Sequence, residues 1–374
     1  MSPNTPFEPV LLDSPGFVSP GPKAERPGQG LLSPGPGPGD AGRSGVGSAT
    51  PEWAMPGFAA SNAGLKQIYS SQAVQSALDS LTGTASDALR STYEKMLRVG
   101  GERFCIKPAR MPDFDALALE LPNFTTVLDD LRGQIALCME SDDPLRISPM
   151  LLLGEPGIGK TYFARRLAEL LATGYGFISM SSLTAGWVLS GASSQWRNAR
   201  AGKIFDTMVH GDYANPVMVI DEIDKASAET HYDPLGPLHE LLEFDTARRF
   251  TDEFAEVPID CSEAIWIATA NDAARIPGPI LNRMNVYAID PPDAEGARRI
   301  GLNLYRALRE GHRWGDRFPA EPSWAVLERL GRLAPREMRR ALLQGFGSAR
   351  LNERHELRVE DLSDRAAPKT RIGF

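Results

Sequence analysis

At 374 residues with 42% hydrophobic content, the chain is long enough for two domains and a sizeable core. Its net charge of −8 disfavours nucleic acid as a default partner, because nucleic-acid binding depends on clustered positive charge. No apolar stretch approaches the roughly 20 residues that cross a bilayer, no secretory signal is visible, and three widely spaced cysteines indicate reduced thiols. We therefore expect a cytoplasmic protein with no membrane partner.

The N-terminal part of the chain contains two kinds of sequence. Residues 1–60 are punctuated by Pro, Gly and Ser with few apolar side chains, which predicts a disordered tail. Apolar spacing then predicts helices over 65–81 and 88–97, separated at Thr82-Gly83, whose apolar faces need either the main domain or a neighbouring subunit. Two prolines in 111–124 indicate an extended linker, so we interpret 61–120 as a helical segment and linker.

The middle of the chain alternates between helical spacing and short apolar runs. A helix is predicted over 124–139, and strands are predicted at 150–153, 176–180, 217–220, 264–269 and 286–289. Such alternation predicts an α/β domain over 121–290, with a largely parallel sheet covered on both faces.

After Pro291-Pro292 no strand is predicted. Helical spacing recurs at 294–311, 324–333, 336–351 and 359–364. The region 291–366 is therefore interpreted as a small all-α domain, followed by a basic tail at 367–374.

The strand predicted at 150–153 leads into a glycine-rich loop that fits the phosphate-binding pattern G-x-x-x-x-G-K-[ST]. A helical pattern follows, so strand, loop and helix come in the required order. Glycines let backbone N–H groups converge on phosphate oxygens, Lys160 reaches the terminal phosphates, and Thr161 can ligate a magnesium ion. Nucleotide contacts are predicted at Gly154, Glu155, Pro156, Gly157, Ile158, Gly159, Lys160, Thr161 and Tyr162.

A pair of carboxylates follows the strand predicted at 217–220. Asp221 suits magnesium, which prefers oxygen ligands, and Glu222 is then placed to polarise a water for attack on the terminal phosphate. An acidic pair after a strand is weak evidence alone. It becomes strong when a glycine loop lies about 60 residues earlier.

Several segments, in this order, resemble the ATPase module of the Lon proteases within the AAA+ superfamily. They are Gly154 to Thr161, NPVMVIDEIDK at 215–225, ATAN at 268–271 and IPGPILNRM at 276–284, with FTDEF at 250–254 similar as well. The resemblance implies a P-loop NTPase fold, ATP and Mg²⁺ as ligands, and an all-α lid.

The resemblance also implies roles for three further residues. Asn271 matches the polar first sensor, against the ordinary interpretation of a turn residue. Arg283 matches the arginine finger donated to a neighbouring subunit, and the alternative is an intramolecular salt bridge. Arg336 matches a second sensor on the helical domain, although Arg339 lies on nearly the same helix face.

One more correspondence concerns mechanical work. Trp196-Arg197 falls where the family carries an aromatic–aliphatic pair on the loop lining the central pore, and an exposed aromatic can grip an extended chain. Here Arg replaces the aliphatic residue. The alternative is a Trp packed on its own domain, and Trp187 is a poorer candidate by position.

Lon proteases continue into a proteolytic domain with a Ser-Lys pair, for which no room is expected before Phe374, so the resemblance implies ATP hydrolysis and not proteolysis. We expect a ring-forming homo-oligomer, a hexamer, that remodels or unfolds an unknown protein partner. One alternative is an unfoldase whose peptidase is a separate chain. Another is a nucleotide-dependent assembly switch or scaffold with slow turnover. A DNA motor ranks last on charge grounds.

Overall fold

The computed structural model describes residues 60–81, 87–141, 143–182, 187–196, 199–226 and 233–362. The tail predicted at 1–60 therefore falls outside the described residues except for residue 60. The break at Thr82-Gly83, Arg197 and the basic tail at 367–374 also fall outside them. Among the described residues, no helix is both long and apolar enough to span a bilayer.

The strands are β1 Ala60–Gln67, β2 Glu102–Pro108, β3 Met150–Leu153, β4 Tyr175–Ser179, β5 Val217–Asp221, β6 Phe250–Thr251, β7 Pro258–Ile259, β8 Ile265–Ala270 and β9 Asn285–Ala288. The α-helices are α1 Ser71–Asp79, α2 Asp87–Val99, α3 Phe114–Glu120, α4 Thr125–Met139, α5 Lys160–Leu170, α6 Trp187–Ser190, α7 Lys203–His210, α8 Leu238–Leu241, α9 Phe244–Ala247, α10 Gly278–Leu281, α11 Ala294–Glu310, α12 Trp324–Leu330 and α13 Pro335–Leu351. Short 3₁₀ turns occupy Pro122–Phe124, Met180–Ser182, Ile223–Lys225, Ala273–Arg275, Gly315–Arg317 and Val359–Asp361.

A parallel sheet in the order β4-β5-β8-β3-β9 organises the molecule. Successive side chains of β5 enter two different hydrophobic clusters, Met218 and Ile220 one and Val217 and Val219 the other. Because alternate residues of a strand point to opposite faces, both faces of the sheet are buried. The predicted α/β class with a parallel sheet is confirmed, and each of the five predicted strands is present within two residues of its predicted bounds.

The N-terminal segment differs from its prediction. Residues 65–67 belong to β1, which pairs antiparallel with β2, and the helix begins only at Ser71 after the cap residue Ser70. The helix predicted from residue 65 is therefore wrong at its start, and β2 was missed. Both strands exist because they pair across about 40 residues of chain, a contact that local periodicity does not contain.

The region 111–124, predicted as an extended linker, is also wrong, because α3 lies within it. Asp113 caps α3 by accepting a hydrogen bond from the Ala116 N–H (2.9 Å), and Phe114 and Leu117 are buried. This cap residue after a proline is a helix-start signal that outweighs the two prolines flanking the segment. The predicted helix at 359–364 is a single 3₁₀ turn in its described part, and the hairpin β6–β7 was missed.

The apolar faces of α1 and α2 pack against the main domain of the same chain. Val74, Tyr93 and Met96 from α1 and α2 join the hydrophobic cluster on one face of the central sheet. The Tyr93 hydroxyl also donates to the Ala255 carbonyl (2.8 Å). The apolar faces of these helices therefore pack on the main domain.

The region after β9 forms a helical layer with its own core. Side chains of α11, α12 and α13 make a separate hydrophobic cluster around Tyr305, Leu342 and Phe346. The layer contacts the rest of the molecule through α3, where the Asn303 side chain donates to the Leu119 carbonyl (3.3 Å). The predicted helices at 294–311, 324–333 and 336–351 are confirmed, ending between zero and three residues early.

Candidate functional site

The glycine-rich loop connects β3 to α5 and has the backbone that phosphate binding requires. Gly157 and Gly159 have φ angles of 86° and 105°, in the left-handed region that side chains other than glycine rarely adopt. Gly159 caps α5, so the helix begins at Lys160 with its unpaired N–H groups at the loop. A helix N-terminus in this setting attracts anions.

Lys160 is buried at the centre of the loop. Its Nζ donates to the carbonyls of Gly154 (2.7 Å) and Glu155 (2.9 Å) and to the Asn271 side-chain oxygen (2.9 Å). Burial lowers the pKa of Lys160, whereas the negative charges of Asp224, Asp221 and Glu222 act in the opposite direction. The ammonium group therefore joins the loop to the residue that follows β8.

Two hydroxyls share one carboxylate oxygen at the end of β5. Thr161 Oγ1 donates to Asp221 Oδ1 (2.6 Å), and Thr269 Oγ1 donates to the same atom (2.8 Å). Thr269 Oγ1 also accepts from the backbone N–H of Glu222 (2.9 Å), whose φ of 55° is left-handed. The loop, β5 and β8 are thus linked through Asp221.

Thr269 lies two residues before Asn271 in the same resembling segment, but it was not predicted as a site residue. Thr269 is 1% exposed and is a polar residue in an otherwise apolar strand. That pattern was a usable signal, because a buried hydroxyl needs a hydrogen-bond partner.

These groups line a cavity of about 520 Å³. Of the predicted site residues, the cavity wall contains Pro156, Gly157, Ile158, Gly159, Lys160, Thr161, Tyr162, Asp221, Glu222, Asn271 and Arg336, together with Arg339. Gly154 and Glu155 reach the site through their carbonyls, which accept from Lys160. Arg283 and Trp196 do not line the cavity.

The rest of the cavity wall comes from α3, α11, α13 and the residues next to them. Its apolar part consists of Leu121, Ile300, Leu304 and Ala307, with Glu120, Asn303 and both arginines at its edge. Gly157 packs against Arg336, since a Cβ added to the glycine would lie 3.4 Å from the Cβ of Arg336. A cavity that combines an apolar wall with a polar phosphate loop matches a ligand with a flat apolar end and an anionic end.

α3 also holds the edge of the cavity through Glu120. The Tyr162 hydroxyl donates to the Glu120 carboxylate, and Arg166 Nε lies 3.1 Å from Glu120 Oε2. Burial and the bond to Glu120 raise the pKa of Tyr162 to about 12, so the hydroxyl keeps its proton. Glu120 was missed by sequence reasoning because its segment was interpreted as a linker.

Arg283 and Trp196 lie elsewhere on the molecule. Arg283 Nε is 2.9 Å from Glu243 Oε1, and its Nη1 donates to the Pro279 carbonyl (2.7 Å). The intramolecular salt bridge that sequence reasoning held as the alternative is therefore present in this chain. Trp196 is 43% exposed and packs edge-on against Trp187, with ring centroids 5.6 Å apart.

Comparisons with known proteins agree with this geometry. Residues 150–289 match the model of the ATPase family associated with various cellular activities (AAA). The chain is 36% identical over 170 residues to a Lon protease of Clostridium beijerinckii, covering 45% of this chain and 21% of the relative. It is 34% identical over 165 residues to a Lon protease of Halothermothrix orenii, covering 43% and 21%. The chain thus spans about a fifth of the length of these curated relatives.

Among solved structures, a cryo-EM reconstruction of Hsp104 in its closed state with ATPγS and FITC casein is similar in fold. Its TM-score is 0.52 at 16% identity, over 74% of this chain and 50% of that chain. Residues 150–289 therefore resemble an AAA-type ATPase domain in sequence, and the solved structure is similar to the chain in fold. Within that class, its sequence is similar to the ATPase module of the Lon proteases, as the motifs predicted.

Replacing Thr269 with Val should weaken the link between Asp221 and Glu222. The change keeps the shape of the side chain but leaves one acceptor and one N–H without this partner, so we expect kcat for ATP hydrolysis to fall about 10- to 100-fold, or roughly 1 to 3 kcal/mol. Steady-state ATPase assays measure this. Thr251→Val, an exposed hydroxyl in β6, is the control; equal rates in the two variants would contradict the assigned role of Thr269.

Proposed function

We propose that the protein hydrolyses ATP with Mg²⁺ at sites shared between neighbouring subunits of a ring, and uses the energy to remodel a protein partner. The observation that carries the proposal is the convergence of Lys160, Thr161, Asp221, Glu222 and Asn271 on one cavity. A phosphate loop, a magnesium ligand set and a water-positioning pair are the parts that phosphoryl transfer to water needs.

In this proposal the loop amides and Lys160 hold the phosphates. Lys160 would exchange its hydrogen bonds to the loop carbonyls for bonds to phosphate oxygens. Thr161 and Asp221 would hold Mg²⁺. Their oxygens already lie side by side, and hard oxygen donors suit this ion. When bound, Mg²⁺ offsets negative charge on the phosphates. The apolar wall from α3 and α11 accommodates the base.

Glu222 and Asn271 act on the attacking water. Glu222 accepts a proton or polarises the water, and its backbone is held by Thr269. The side-chain oxygen of Asn271 accepts from Lys160, and in this proposal its amide NH2 group helps to orient the water. Arg336, packed over the glycine loop, is the better placed of the two arginines for a second sensor, and α11 to α13 form a lid that responds to nucleotide.

Arg283 is the residue that supports the proposed ring. This arginine lies outside the cavity of its own chain, and its ion pair with Glu243 involves a half-exposed carboxylate. In the proposed ring, Arg283 would exchange its contact with Glu243 for the nucleotide site of a neighbouring subunit, where its charge would offset that of the transition state. A closed ring, a homo-hexamer, gives every nucleotide site an arginine from a neighbouring subunit.

The three buried, free cysteines of the chain fit a cytoplasmic location.

Trp196 supplies the contact with the partner. It is exposed on a loop, as an aromatic group must be to stack on an extended polypeptide without reading its sequence. The alternative function, a nucleotide-dependent assembly switch with slow turnover, needs the same ATP site but no gripping residue. The response to an unfolded protein therefore separates the two functions.

Glu222→Gln should bind ATP with an affinity close to that of the unaltered protein and lose hydrolysis by about 10²- to 10⁴-fold, because the amide cannot accept a proton. Binding is measured with a fluorescent ATP analogue and turnover by phosphate release. Glu94→Gln, which changes an exposed carboxylate on α2 outside the cavity, serves as the comparison for binding. Normal turnover in Glu222→Gln would remove the catalytic assignment.

Mixing Arg283→Ala subunits with Lys160→Ala subunits should restore part of the ATPase activity that each variant lacks alone. At some interfaces of a mixed ring, an intact nucleotide site then meets an intact Arg283. An arginine in this role raises the hydrolysis rate by about 10³- to 10⁵-fold. The activity is measured across mixing ratios. Arg275→Ala subunits, which lose an exposed arginine nearby, are the control for mixing. Absence of recovery at every ratio argues against a shared site.

Trp196→Ala should abolish stimulation of the ATPase by fluorescein-labelled casein, chosen as an unfolded polypeptide, because the loop loses its stacking surface, worth about 1 kcal/mol or more per contact. Trp324→Ala removes another exposed tryptophan, on α12, and should keep the stimulation. Stimulation is measured as the ATPase rate against casein concentration. If casein still stimulates the ATPase of Trp196→Ala, Trp196 is not the residue that contacts the polypeptide. An assembly switch would show no casein stimulation in either variant.

A further inference from the structure

The loop that carries Trp196 closes on itself at its base. It leaves the fold at Gly191, after α6, and returns at Gly202, where α7 begins. The Ala192 N–H donates to the Arg200 carbonyl (3.0 Å), which joins the outgoing and returning chains. Within the loop, Trp196 lies in a tight turn, because its N–H donates to the Ser193 carbonyl (2.9 Å).

A buried carboxylate, that of Asp252, sits at this base. Asp252 is 0% exposed and lies in the connection between β6 and β7. Its Oδ2 accepts from the Gly202 N–H (2.8 Å), and its Oδ1 accepts from the N–H groups of Phe254 (3.0 Å) and Ala255 (3.2 Å). One side chain therefore ties the returning end of the loop to the β6–β7 connection.

Gly191 is shaped around the same carboxylate. Its φ is 84°, and a Cβ added there would lie 2.4 Å from Asp252 Oδ1, closer than any real contact. The outgoing end of the loop therefore also lies directly against Asp252. Only glycine allows this approach.

Neighbours of Asp252 hold the loop at further points. The Glu253 N–H donates to the Ser190 carbonyl (2.7 Å), and Ser190 Oγ donates to Glu253 Oε1 (3.3 Å). Ser194, two residues before Trp196, donates to Glu256 Oε1 (3.2 Å). Residues 252–256 therefore follow the loop from its base to the vicinity of Trp196, and Tyr93 of α2 anchors them from behind through Ala255.

The electrostatics of Asp252 fit a positioning role. Its carboxylate accepts three hydrogen bonds, all from backbone N–H groups, and within the described residues these dipoles hold its negative charge in place of an arginine or lysine. Burial raises the pKa of Asp252 to about 6, the three backbone donors act against that rise, and the charge of Asp206 on α7 adds to it. Burying a carboxylate costs free energy, and the three hydrogen bonds that it accepts offset this cost while fixing the groups that donate them.

We infer that Asp252 is a positioning residue that holds the Trp196 loop in its partner-binding conformation by closing the loop base at Gly191 and Gly202. The inference rests on the proposed function of Trp196 as the group that contacts the partner. It assigns a role to the FTDEF segment, which the nucleotide site does not use. It also links that segment, through Tyr93, to the N-terminal helices.

The test is Asp252→Asn in the full-length chain. The amide keeps the shape of the carboxylate but turns one acceptor into a donor that faces a backbone N–H, so the loop base should open. The first readout is acrylamide quenching of Trp196, taken as the difference between each protein and the same protein carrying Trp196→Phe. We expect the quenching constant to rise about twofold, because local opening exposes the indole.

The second readout is the casein concentration that gives half-maximal ATPase stimulation. We expect it to rise about tenfold in Asp252→Asn while the rate without casein stays within about twofold, since Asp252 does not line the nucleotide cavity. Gly191→Ala should reproduce both effects, and it carries the test alone if Asp252→Asn does not fold.

Asp361→Asn is the matched control. This buried carboxylate pairs with Arg354 and Ser348 in the helical layer, so its loss should lower thermal stability without changing Trp196 quenching. Unchanged quenching in folded Asp252→Asn or Gly191→Ala would overturn the inference. If casein stimulates none of the proteins, the proposed function fails, and the quenching data still decide the role of Asp252.

Discussion

The buried ammonium group of Lys160 needs acceptors, and the arrangement of the parallel sheet provides them. A charge removed from water is costly unless hydrogen bonds and opposite charges surround it. Lys160 obtains two carbonyls from its own loop and the Asn271 oxygen from beyond β8, with three carboxylates nearby. This is possible because β3, β5 and β8 are parallel neighbours, so the residues that follow them meet at one edge.

Because the strands end at the same edge of the sheet, the hydroxyls of Thr161 and Thr269 can both donate to Asp221. Its Oδ1 accepts from Thr161 in the first turn of α5 and from Thr269 on β8, so a displacement of α5 or β8 relative to β5 would break one of these bonds. Thr269 in turn fixes the backbone of Glu222 in a left-handed conformation. These hydrogen bonds fix the relative positions of Thr161, Asp221 and Glu222, and in the proposed function such preorganisation lowers the reorganisation that catalysis requires.

Residues 60–108, here called the N-terminal addition, pack against the α/β domain near the Trp196 loop. β2 is held along the 212–215 segment, where Asn215 pairs with both backbone groups of Ile106 and the Phe104 N–H donates to the Asp212 carbonyl (2.9 Å). Arg103 reaches the carbonyls at the end of α7, the helix that follows the Trp196 loop. Together with Tyr93, these contacts make the addition a support for the loop-bearing face of the domain.

Local sequence determined the parts of this protein that depend on near neighbours in the chain. The glycine loop before α5, the apolar strands and the helices after β9 follow from periodicity, backbone preference and motif order. Only the tertiary structure decided that β1 and β2 form strands, that α3 closes the cavity with Glu120, that Thr269 joins Asp221 to Glu222, and that Asp252 closes a loop 50 residues away. Each of these depends on groups that are distant in the chain and become neighbours only once the sheet has formed, so their energies are absent from any local window of sequence.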